Sequence, residues 1–239
     1  MFLKSFMKNE TIYIGLDSKH RDVFEICKFS IQKHLSRHIE ILPVNKFLVP
    51  DYNRINDGFE STDFSFARFF VPQMNNFEGT SLFVDGDFLF LSDVSVVFDM
   101  FHNYNSSESK KKALMCCQHD YTPKTNVKMD GKTQTFFKRK NWSSFMIIDN
   151  AHKKIKTLNT LTINGQSGKF LHQFDFLEDS DIGEISLEWN WLVGYYTEIS
   201  GIFSPKALHF TDGGPWLENY KNCPYSDIYT IYKNEYERL

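Results

Sequence analysis

The chain lacks several features that would make its chemistry quick to read. Its 239 residues include only four cysteines, Cys27, Cys116, Cys117 and Cys223, and these have no metal-ligand spacing. The formal charge of −3 shows no basic excess, so nucleic acid is not an expected partner. No apolar run approaches the length that spans a membrane, and Met1 to Met7 is too short for the apolar stretch of a secretory signal. No G-x-G-x-x-G follows the first apolar run, which argues against a Rossmann dinucleotide site. There is no internal repeat and no long low-complexity tract. Thiols without disulfide spacing and no signal segment predict a reducing, cytoplasmic setting. What the chain has in abundance is aromatic residues, 16% of the total, with 24 phenylalanines. Such rings build cores, and they also line sugar and nucleobase sites.

Taken in order, the chain reads as alternating strands and helices. Thr11–Gly15 is a first strand, and Arg21–Leu35 carries Val23, Ile26, Cys27, Ile31 and Leu35 on one helical stripe, with Asp17 or Ser18 as its cap. Ile39–Val44 is a second strand, which makes a right-handed βαβ unit with parallel pairing. Residues 48–61 form a polar loop. Thr62 or Asp63 caps a helix over Phe64–Phe70 that Pro72 helps to end. Arg68 inside that apolar stretch either snorkels along the surface or reaches into a site. Ser81–Val84 is a strand, Phe88–Leu91 continues apolar, and a helix capped by Ser92 or Asp93 runs to about Phe101. Ala113–Cys117 and Trp142–Ile148 are further strands. Asn150 caps a helix holding Lys153–Leu158, and 160–177 is helical but broken at Gly165 and Gly168. Lys206–Phe210 is a strand, and Glu218–Leu239 ends in a helix. The basic stretch 122–140 reads as a hairpin. Its charge either blocks edge-to-edge pairing or faces an anionic acceptor or membrane headgroups.

Two strand ends carry the candidate chemistry. Residues two apart on a strand share a face, so Asp85 and Asp87 can aim at one point beyond Val84. Gly86 between them permits a close approach of a phosphate or a metal ion to the backbone. Asp-Gly is also a common turn dipeptide, so a plain turn is the competing reading. His209 ends a second strand and is followed by Gly213 and Gly214, whose amides can face phosphate oxygens. Taken alone it is an ordinary packed histidine. Together with the two carboxylates it completes an oxygen–nitrogen donor set of the kind manganese accepts.

These motifs, in this order, resemble family 8 glycosyltransferases, the group of glycogenin and the bacterial lipopolysaccharide glycosyltransferases. The residues that carry the resemblance are Thr62–Pro72, Phe83-Val84-Asp85-Gly86-Asp87, Trp142–Asn150, Glu188-Trp189-Asn190-Trp191, and Leu208–Trp216 with its His209 and Pro215-Trp216. The resemblance covers about residues 10–220. It implies an α/β GT-A (nucleotide-diphospho-sugar transferase) fold, a Rossmann-like mixed central sheet flanked by helices. The whole of 1–239 would form one such domain, with about 10–93 as the nucleotide-sugar half and about 94–239 as the acceptor half and C-terminal tail.

The resemblance further implies a metal-dependent transfer of a hexose from a nucleotide sugar, expected to be UDP-linked, to a glycan or other hydroxyl acceptor with retention. Manganese, with magnesium as the alternative, would sit on Asp85, Asp87 and His209. Asp175 joins these three as a candidate catalytic group. Gly15, Leu16, Asp17, Arg21, Arg68, Gly86, Gly213 and Gly214 would bind the donor. Ser143, Ser144, His172, Gln173, Trp189, Asn190 and Trp216 would face an acceptor that is a glycan or lipid-linked. Membrane contact would be at most peripheral, through 124–140 on the inner face. The chain departs from the family at Gly214, where a lysine before Pro-Trp usually contacts the diphosphate. Lys206, Lys221, Arg21 or backbone amides are the substitutes on offer. Two other readings compete: a catalytically silent sugar- or nucleotide-binding protein of the same fold, and a haloacid dehalogenase-type phosphatase. Leu89, where the latter wants threonine or valine, argues against it.

Overall fold

Both faces of the main sheet are buried, which is why its strands read as unbroken apolar runs rather than as alternating ones. The computed structural model describes residues 9–54, 60–120, 139–199 and 203–239. Of the expected basic hairpin only Arg139 and Lys140 fall within these, and Met1–Met7 and part of the 48–61 loop also lie outside them. In chain order the elements are β1 (Glu10–Gly15), α1 (Arg21–His34), β2 (Glu40–Val44), α2 (Val71–Met74), β3 (Thr80–Val84), β4 (Phe88–Phe90) and α3 (Ser95–Ser107). They continue with β5 (Leu114–Cys117), β6 (Phe145–Asp149), α4 (Thr160–Gly165), α5 (Gly168–His172), β7 (Ile182–Ile185), β8 (Trp191–Leu192), β9 (Ala207–His209) and α6 (Ser226–Tyr236).

A six-stranded sheet has the order β2-β1-β3-β6-β5-β7, and a three-stranded sheet has the order β4-β9-β8. In the large sheet β1 runs parallel to β2 and β3, as the βαβ reading requires, and β5 runs parallel to β7. Strand β6 opposes both of its neighbours, so the sheet is mixed. Alternation sends Ile12, Ile14, Leu82, Val84, Phe145 and Ile147 to one core, with α1 and α3. Tyr13, Phe83, Met146 and Ile148 go to the other, with the Phe64–Phe70 stretch and α5. A third core, Leu89, Trp191, Leu208, Phe210, Tyr229 and Tyr232, lies between the small sheet and α6.

Several local expectations fail, each for a physical reason. Phe64–Phe70 is not one helix. It is a turn followed by a 3-10 segment at Ala67–Phe70, and Pro72 sits at the start of α2, where its missing N–H costs nothing. Asp63 does not cap it. Its carboxylate is held by Ser18 and Lys46 instead. α1 begins after His20 without a side-chain cap, because Asp17 accepts from the Lys19 amide and Ser18 is spent on Asp63. The helix after β4 starts at Ser95 and runs past Phe101 to Ser107. Lys153–Leu158 is only a 3-10 turn at Ile155–Thr157, and buried Asn150 bonds the Glu78 carbonyl and Ser81 rather than capping it. Phe88–Phe90 does not prolong β3; it enters the second sheet.

Candidate metal centre

The chain leaves one sheet and enters the other within three residues. β3 ends at Val84, β4 begins at Phe88, and Asp85-Gly86-Asp87 is the connection. In the small sheet Phe88 is directly opposite His209, and the Phe210 amide donates to the Asp87 carbonyl (3.1 Å). This register brings the imidazole back beside the carboxylates. One donor atom each from Asp85, Asp87 and His209 lies within 4.8 Å of the others. Ligands about 2.2 Å from a shared cation are separated by roughly 3–4.5 Å, so the set fits one ion. Two hard carboxylates with one imidazole suit manganese or magnesium better than a thiol-seeking metal. The Asp85 and Asp87 side chains keep 16% and 14% of their exposure, so the site opens to solvent, whereas His209 is buried at 2%.

Each ligand is held from behind. Arg68, itself buried, places Nη1 2.7 Å from Asp85 Oδ1 and also donates to the Ser65 and Ser143 carbonyls. Burial lowers its pKa from the ordinary arginine value and the carboxylates Asp85 and Asp87 oppose that, so it stays a cation. The Asp85 amide donates to the Ser144 carbonyl (2.9 Å). His209 stacks on Phe88, with ring centroids 4.4 Å apart, and its Nε2 stands 3.4 Å from Asp87 Oδ1. Its Nδ1 meets Asn190 Oδ1 at 2.8 Å. Ser143, Ser144 and Asn190 are thus buried behind these three groups, and Trp189 is buried in the core that holds α1 and α3.

Gly15, Asp17, Gly86, Asp87 and Trp216 line one small cleft beside the carboxylates. His20, Phe24 and Phe64 share it; sequence reasoning missed them, and nothing in their local pattern marks them. Gly86 has a packing reason: a Cβ there would lie 2.3 Å from the Gly15 carbonyl oxygen. Gly213 and Gly214 back onto the Tyr220 and Trp216 rings, and the Gly213 amide is bonded to the Phe210 carbonyl. Leu16 donates its amide to Val44, and Arg21 is an exposed first residue of α1. Lys206 is paired with Glu188 and Lys221 with Glu218. His172 bonds Ser143 Oγ (2.9 Å) and packs on Phe66 and Phe69, while the Gln173 carbonyl accepts from Arg139. Asp175 is exposed on the loop after α5 and is not brought into the Asp85–Asp87–His209 cluster. A wider groove at the end of α1 includes Lys28, Ser36, His38 and Glu40, but its Arg37 is already committed to Glu10, Asp99 and the Ser95 carbonyl.

The chain is 40% identical over 232 residues to Protein CDI of Arabidopsis thaliana, a match covering 95% of this chain and 87% of that protein. No protein-family model matches it. Among solved structures it is similar to the apo form of the glycosyltransferase GlyE of Streptococcus pneumoniae TIGR4, with a TM-score of 0.60 at 15% identity. That alignment covers 95% of this chain and 60% of GlyE, so the chain spans about three fifths of that protein. It is also similar to the galactosyltransferase LgtC in complex with donor and acceptor sugar analogs, with a TM-score of 0.53 at 11% identity, covering 94% of this chain and 95% of LgtC. The fold is therefore the GT-A fold of glycosyltransferases.

Proposed function

The chain belongs to the family of the Arabidopsis thaliana Protein CDI, and we propose that it is a metal-dependent glycosyltransferase, close to family 8. It moves a hexose from a UDP-linked sugar to a hydroxyl of a glycan or lipid-linked acceptor in the cytoplasm, with retention. In this reading 1–239 is one GT-A unit, with its donor half ahead of about residue 94. The observation that carries the reading is the convergence of Asp85, Asp87 and His209 from two sheets onto one point, on a glycosyltransferase-type fold. Among the described residues no helix is long and apolar enough to cross a membrane.

The residues divide the work by their chemistry. Asp85, Asp87 and His209 hold manganese or magnesium. When bound, that cation supplies positive charge where the leaving diphosphate becomes negative. Arg68 cancels one of the two carboxylate charges, so the ligand set carries a net −1 and accepts a divalent cation without a large excess of negative charge. The cleft between Gly15 and Trp216 takes the nucleoside: Phe24, Phe64 and Trp216 give it apolar walls, and Asp17 and His20 give it polar ones. Gly86, pressed on the Gly15 carbonyl, keeps that cleft next to the carboxylates. The test is calorimetry with uridine diphosphate and Mn2+. The wild type binds, and Asp87→Asn and His209→Ala each lose more affinity than the roughly ten- to hundredfold that removal of a ligand's hydrogen-bond partner costs, while remaining folded. Unchanged affinity in both variants removes the metal assignment. Binding without turnover across a panel of UDP-sugars and acceptors would instead favour a catalytically silent binder.

A further inference from the structure

Asn190 is fully buried and has one arrangement that satisfies its neighbours. Its Nδ2 lies 2.9 Å from Ser144 Oγ and 3.4 Å from the Asn141 carbonyl. Ser144 Oγ donates its own proton to that same carbonyl (2.7 Å) and so has a lone pair left for Asn190. A carbonyl only accepts, so the amide NH2 must face Asn141 and Ser144, and Oδ1 must face His209. An oxygen that only accepts, 2.8 Å from His209 Nδ1, requires the proton to be on Nδ1. In the neutral ring the lone pair is then on the other nitrogen, Nε2, and it is the one on the Asp87 side.

The brace extends one layer deeper. His119, buried at 5% exposure, takes Tyr196 Oη at its Nδ1 (2.6 Å), and its carbonyl accepts from Trp142 Nε1. Its imidazole lies against the Asn190 side chain. The backbone at Asn141 is left-handed, with φ +61°, an uncommon conformation for a non-glycine residue that sets its carbonyl inside this cluster.

We propose that Asn190 is a positioning residue that locks His209 in the Nδ1–H tautomer and so presents its Nε2 to a divalent cation, with His119 and Tyr196 bracing Asn190 from behind. This rests on the reading that Asp85, Asp87 and His209 hold such an ion. A ligating imidazole takes its tautomer from the hydrogen bond at its other nitrogen, and loss of that partner weakens metal binding about ten- to a hundredfold. The role goes beyond ligation, because Asn190 is fully buried and acts on the ion only through His209.

Two measurements test it. Long-range 15N–1H correlation on the metal-free wild type, recorded in alkaline buffer where the ring is neutral and with His209 assigned by comparison with His209→Gln, should show the single ring proton on Nδ1. A single proton on Nε2 overturns the proposal, and this measurement needs no Asn190 variant to fold. Calorimetric titration with Mn2+ alone should show Asn190→Leu weakened about ten- to a hundredfold. Asn190→Asp keeps an acceptor toward Nδ1 although it gives up the donor to Asn141, and it should lose less affinity than Asn190→Leu. Wild-type affinity in Asn190→Leu, or equal loss in both variants, overturns the role. The two readings fail differently. A wild type that binds no Mn2+ refutes the metal site itself, whereas Mn2+ binding by a protein whose His209 is protonated at Nε2 refutes only the part given to Asn190.

Discussion

His119 should make this protein lose stability as pH falls from 7 to 5, well above the range where carboxylates titrate. The cause is burial first and the neighbouring His209 second; the bond to Asn190 opposes them, and the net effect pushes the imidazole down to about 3 from its ordinary 6.5. The unfolded chain therefore takes up a proton near 6.5 that the folded chain refuses. Stability from this group is complete above 6.5 and falls with pH from there to about 3. Between pH 7 and pH 5 the loss is about 2 kcal/mol, from RT ln[(1 + 10^(6.5−pH))/(1 + 10^(3−pH))] evaluated at the two pH values. That figure is set almost wholly by the unfolded value, because the folded imidazole is neutral at pH 5 for any folded pKa near 3. The assay is urea unfolding of the metal-free protein at pH 7, 6 and 5, beside His119→Gln, whose amide still reaches Tyr196 and Asn190. His34 is also lowered, chiefly by burial, but it contributes equally to both proteins and cancels in the difference. The wild type should lose about 2 kcal/mol more than the variant over that interval. Parallel pH profiles for the two proteins would refute the argument.

Two further perturbations probe the supports of the site. Arg68→Met leaves the part-buried Asp85 without its guanidinium and should cost about 1.5–3 kcal/mol in denaturant unfolding. The double variant Arg68→Met/Asp85→Asn should recover a large part of that, and strictly additive losses would mean that the pair is not coupled. Gly86→Ala drives a methyl to 2.3 Å from the Gly15 carbonyl, a backbone atom that cannot rotate away, and should cost about 1–3 kcal/mol together with nucleotide affinity. An unchanged melting temperature would show that the β1 and β3 ends part easily.

The parts of the site legible in the sequence were the strand ends. β3 stops at Val84, just before Asp85, and His209 is the last residue of β9, whereas Asp85-Gly86-Asp87 is itself a turn between two sheets and not a strand face. What local pattern does not carry is register between distant strands. Phe88 through Leu91 reads only as a further apolar run, and nothing in it foretells that the backbone turns at Gly86 and enters the second sheet, where Phe88 meets His209. That pairing is 121 positions apart in the chain and has no short-range signature. Trp142–Ser144 fails as a strand for a related reason. It is a 3-10 turn entered through left-handed Asn141, and it is held by partners at Asp85, Thr211 and Asn190 that lie far away in sequence. Phe64–Phe70 is apolar on every side, so composition could not separate one helix from the turn and 3-10 segment that form.

A candidate metal site whose donor groups come from two sheets has a weakness: any slip between the sheets opens it. Asp85 hangs from the end of β3 in the large sheet, whereas His209 belongs to the small one. The turn Asn141–Ser144 removes that freedom by bonding to both. The Ser144 carbonyl takes the Asp85 amide, and the Ser143 carbonyl takes Arg68, which in turn holds the Asp85 carboxylate. On the other side Ser144 Oγ and the Asn141 carbonyl hold Asn190, which holds His209, and the Asn141 side chain donates to Thr211 two residues beyond it. The Asp87 carbonyl, tied to the Phe210 amide, closes the circuit on the small-sheet side. Three donors fixed in this way before any ion arrives lose little conformational entropy when one binds, so the binding energy is not spent on ordering them. The small buried residues of this turn therefore act as a pin that keeps the two sheets in register beside Asp85, Asp87 and His209.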